Sequence, residues 1–101
     1  MAVFKSSVVV RDGRGRPIGA GMTYVHLRRP AEQSQAVTGT VSLRTWEPAD
    51  APPAEVALPD GRLLTIAVSR NVLSECSQSH ILRYSATWPP TGAAISPGER
   101  G

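Results

Sequence analysis

The sequence is poor in cysteine, in aromatic side chains and in long apolar runs, and each shortage excludes a class of protein. Cys76 is the single cysteine, so the chain closes no disulfide within itself, which fits a reducing compartment. A structural zinc site takes about four clustered Cys or His ligands, and the chain offers only Cys76, His26 and His80. No stretch approaches the ~18 apolar residues of a membrane-spanning helix. The N-terminal Met-Ala-Val-Phe-Lys lacks the basic start and apolar run of a secretory signal. The expectation is a cytoplasmic protein without a membrane partner.

Catalytic motifs are missing as well. There is no Gly-x-Ser-x-Gly elbow for a serine nucleophile. Gly13-Arg14-Gly15 lies between two strand-like runs, whereas a dinucleotide loop needs a third glycine and a following helix. Asp12, Glu47, Asp50 and Asp60 fall in turns or loops, where carboxylates are ordinarily solvated. The nearest charge to the Cys76 thiol is Glu75, the wrong sign to activate it. The sequence therefore points away from an enzyme and implies no cofactor and no metal.

What remains is a chain of 101 residues, the size of one domain. Hydrophobic residues make up 41% of it, enough for a core, but only five side chains are aromatic. Val, Leu, Ile and Ala must fill that core. The net charge is +3, and ten of the eleven cations are Arg. Such a balance permits an anionic partner without requiring one.

Strand signals recur with turn residues between them. Extended segments are expected over 6–11, 18–29, 36–46, 55–58, 63–69 and 80–88. Asp12 to Pro17 and Pro59-Asp60-Gly61-Arg62 read as tight turns. One short helix is expected over 71–79, with Val72, Leu73 and Cys76 on one face. The fold class expected is all-β, a small partly closed barrel (SH3-like or OB-like) of about six strands, with a β-sandwich as the alternative. Residues 1–88 form the domain, and the Pro- and Gly-rich 89–101 is a flexible tail.

A meander of the first three strands pairs Val10 with Gly19, Val8 with Gly21, Gly21 with Arg44, and Gly19 with Trp46. In that register Val3, Val9, Ile18, Ala20, Met22, Tyr24, Val37, Val41 and Leu43 form the core face. The opposite face is small and hydroxyl-rich, floored by Gly19 and Gly21, with Arg44 and Trp46 standing on it. Arg14 and Arg16 turn the corner beside them, and free amides of that turn offer an anion pocket. Arg28 and Arg29 form a separate group along the strand. A Trp beside Arg on a sheet face stacks and clamps single-stranded nucleic acid or nucleotides. The expected function is thus a non-catalytic binding module for an anion, with Arg14, Arg16, Arg44 and Trp46 as ligand-binding residues. The alternative is an interaction or assembly subunit, meeting a protein partner or a second copy through its sheet edges.

Overall fold

The computed structural model describes residues 2–47, 52–74 and 79–92. The six strands are β1 (Ala2–Asp12), β2 (Pro17–Leu27), β3 (Gln35–Trp46), β4 (Pro53–Ala57), β5 (Leu63–Ser74) and β6 (Ser79–Trp88). They close into one barrel in the spatial order β1-β2-β3-β6-β5-β4, with every pairing antiparallel. The all-β class and the small barrel agree with the sequence reading; the sheet closes through the pairing of β1 with β4, and the sandwich is not formed.

No helix occurs among the described residues. Where one was expected, Asn71 to Ser74 extend β5 and pair with Ser79 to Leu82 of β6. Residues 75–78, Cys76 among them, lie outside the described residues. The physical reason is that a helix this short is marginal, whereas β6 supplies a ready ladder for the same backbone groups.

Alternation builds the interior. Gln35, Val37, Gly39, Val41 and Leu43 on β3 face inward, as do His80, Leu82, Tyr84 and Trp88 on β6. β1 contributes Val8 and Val10, and β2 contributes Thr23, Val25 and Leu27. At mid-height the Tyr84 ring lies against Gly39, its pairing partner, where a Cβ would come within 2.6 Å of the ring. The buried Tyr84 hydroxyl meets Thr23 Oγ1 at 2.6 Å, and Thr23 donates in turn to the Thr40 carbonyl at 2.9 Å.

The sequence register is correct at Val8–Gly21, Val10–Gly19 and Gly19–Trp46, but a bulge follows Ala20. Gly21 then pairs with Leu43 instead of Arg44, and every later pair of β2 and β3 is shifted by one. At Gly21 the β3 backbone comes so near that a Cβ would overlap the Ser42 carbonyl oxygen. A one-residue shift exchanges faces. The interior of β1 and β2 is therefore the Val8, Val10, Gly21 and Thr23 side, the glycine-floored face that the expected register leaves open. Val3, Val9 and Tyr24, read as core, are exposed at 56%, 37% and 38%.

The barrel has two rims. The lower carries the β1–β2 turn and Trp46; the upper carries the β2–β3 loop, the β4–β5 turn and Trp88. Gln35 organises the upper loop, accepting from the Arg28 and Arg29 amides and donating to the Arg29 and Pro30 carbonyls. Trp88 Nε1 donates to the Ala31 carbonyl. Beyond β6, Pro90 is buried and Thr91 exchanges two backbone hydrogen bonds with Leu63. Residues 89–92 thus lie along the upper rim, while 93–101 lie outside the described residues.

Candidate functional site

The four residues expected to bind ligand do not stand together on one face. Arg14 and Arg16 are exposed in the β1–β2 turn. Their amides are not free: both donate to Asp12 Oδ1, at 2.8 and 3.0 Å. The anion pocket expected in that turn is thus filled by the chain's own carboxylate. Asp12 itself is only 3% exposed rather than solvated. The Arg16 amide, with that of Arg14, holds its carboxyl below the ordinary value against the opposing effect of desolvation.

Arg44 is exposed on the outside of the barrel. Trp46 turns the other way. Its partner Gly19 is on the inner side, and the indole packs half-buried against the core at the lower rim. Its ring meets the His80 imidazole edge-on, with centroids 4.1 Å apart. His80 is 7% exposed and hydrogen-bonds through Nε2 to Asn71 Oδ1, while Nδ1 has no partner among the described residues. Burial lowers the His80 pKa, so the ring is neutral near pH 7. The bulge separates Arg44 from Trp46, and no local sequence signal announces it except the pair of glycines.

The barrel brings together a different set of residues. None of β2, β3, β5 and β6 contains an Asp or Glu, and these four strands are contiguous in the barrel. Their shared outer wall carries exposed Arg70 and Arg83 directly opposite one another, at a β5 bulge. Across β3 and β2 the same row continues through Thr40 and Tyr24 to Lys5 on β1. At ~4.8 Å between strands the row spans roughly 19 Å. Facing like charges repel, and the only ion pair among the described residues is Asp60–Arg62 at the upper rim, 2.7 Å. A wall that keeps cations adjacent and excludes acids is suited to an anion.

Arg28 and Arg29 sit at the upper rim, away from Arg14 and Arg16 at the lower. A groove of about 600 Å³ crosses the outside of β1 and β2 toward the β4–β5 turn, with Arg11 and Arg44 in its lining. Among the described residues no three His, Cys, Asp or Glu side chains come together. No helix of the described residues is long and apolar enough to cross a membrane. Comparison with protein-family models, curated proteins and solved structures yields no match to this chain.

Proposed function

We propose that the protein is a non-catalytic binding module that takes single-stranded nucleic acid, or a nucleotide, on the outer wall of β2, β3, β6 and β5. One observation carries this reading: four adjacent strands without a carboxylate, bearing Arg70 against Arg83. Guanidinium groups bind phosphate oxygens in pairs of parallel hydrogen bonds. Tyr24, 38% exposed in the same row, offers a ring on which a base stacks. Thr40 between them adds a hydroxyl for the sugar-phosphate backbone.

Fluorescence anisotropy of a labelled mixed-sequence oligonucleotide tests it. Binding is expected at low salt, weakening as salt rises. Each of Arg70→Gln and Arg83→Gln reduces the slope of log K against log salt by ~0.7, the value for one lost phosphate contact on a single strand. No binding at low salt, or binding indifferent to both substitutions, refutes the reading.

An assembly role has one observation in its favour. Closure leaves few edges, but β4 pairs with β1 only from Val9 to Asp12. The stretch 2–8 of β1 has no partner on that side among the described residues. Lys5 sits midway along it, a residue type that discourages edge pairing. The anionic ligand is therefore the better supported reading.

A further inference from the structure

Three irregularities of the sheet meet at one place. The register slips between Val10 and Arg11 against β2, between Arg11 and Asp12 against β4, and between Ala20 and Gly21 against β3. Bulges break the ladder, re-aim side chains and gather beside functional sites. Here they adjoin the outer groove of about 600 Å³, a volume within the range of small-molecule sites. Val9, Met22, Leu58 and Pro59 give it an apolar lining, and Arg11 and Arg44 give it its only charges.

Among the described residues neither guanidinium has a carboxylate oxygen within 4 Å. Glu55 faces Arg11 across the β1–β4 ladder, yet Asp60–Arg62 is the one ion pair within 4 Å among those residues. Arg44 stands at the β3 bulge, on a strand without an acid. The lining contains no aromatic ring, so it lacks the stacking platform a nucleobase uses. Aliphatic walls with two cations match an aliphatic body with an anionic head.

We infer that this groove is a binding site for a small amphiphilic acid. The apolar body lies along Val9, Met22, Leu58 and Pro59, and a carboxylate or phosphate head is held by Arg11 and Arg44. The site is separate from the Arg70 and Arg83 row and does not depend on nucleic-acid binding.

Isothermal calorimetry with decanoate, decyl phosphate and decanol, each below its micelle or solubility limit, tests the inference. At least one acid is expected to bind tenfold or more tighter than decanol, and the better of the two identifies the head group. In Arg11→Gln/Arg44→Gln that advantage disappears while the urea midpoint is retained. Val9→Asp, placing a carboxylate at a position already 37% exposed, abolishes acid binding with an unchanged circular-dichroism spectrum. The inference is overturned if neither acid binds, if decanol binds as tightly, or if the double substitution leaves the advantage intact. A stable dimer in sedimentation that decanoate leaves unchanged, with no acid bound, would show a second copy in the groove and overturn it equally.

Discussion

Replacing Thr23 by Val should destabilise the barrel more than replacing Tyr84 by Phe, although each removes one hydroxyl. Both side chains are interior, at 1% and 0% exposure. Tyr84 Oη donates to Thr23 Oγ1, which donates onward to the Thr40 carbonyl. Tyr84→Phe takes away the first donor only; Thr23 keeps its bond to Thr40, and no buried donor is orphaned. The expected cost is about 1 kcal/mol, the net value of one ordinary hydrogen bond. Thr23→Val removes the middle of the chain. The Tyr84 hydroxyl is then buried without an acceptor, at ~1–3 kcal/mol, and the Thr40 carbonyl also loses a donor. A total near 2–3 kcal/mol follows on the same scale. The double variant has no hydroxyl left to orphan, so it should cost less than the sum of the singles by ~1 kcal/mol or more. Urea unfolding with an unchanged m-value measures all three, and each kcal/mol moves Tm by roughly 4–8 °C. Additive singles, or a Tyr84→Phe more damaging than Thr23→Val, would refute the relay.

Two further expectations concern pH and the lower turn. Burial depresses the His80 pKa below its unfolded value of 6.5, so the unfolded chain binds the proton more readily. Its contribution to stability is full above pH 6.5 and falls as the pH drops toward the folded pKa. His80→Phe should flatten the fall in urea midpoint as the pH drops below 6.5; an unaltered slope there would show that another group is responsible. Asp12→Ala deprives the Arg14 and Arg16 amides of their acceptor and should lower Tm more than Asp12→Asn, which retains a side-chain oxygen. Equal losses in differential scanning fluorimetry would mean that the carboxylate's charge, not its position as acceptor, holds the turn.

Much of the fold was legible because strand and turn signals are local. Val8-Val9-Val10, the Asp12 to Pro17 turn and the Pro59 to Arg62 turn each mark structure within a few residues. The meander even placed Val10 against Gly19 and Gly19 against Trp46. The choice of face was not legible, because β1 and β2 carry apolar residues on both sides. Val8 and Val10 oppose Val9; Thr23 and Val25 oppose Met22 and Tyr24. Hydrophobic pattern alone does not rank such faces, and the bulge after Ala20 reverses β3 against any register carried on from Trp46. Only the approach of the Ser42 carbonyl to Gly21 explains why the glycine is there.

The charged wall divides the same way. The absence of acids from β2, β3, β5 and β6 is a property of the sequence, as is the exposure of alternate residues once the strands are placed. The meeting of those strands is a property of the barrel. β6 inserts between β3 and β5, which sets Arg83 beside Thr40 and brings the row within reach of Tyr24 and Lys5. Composition and local propensity decided most of the strands and turns, but at 71–74 the β6 ladder, not the local pattern, made the strand. Closure, bulges and non-sequential pairing decided which side chains face out together, since those depend on backbone contacts between segments remote in sequence.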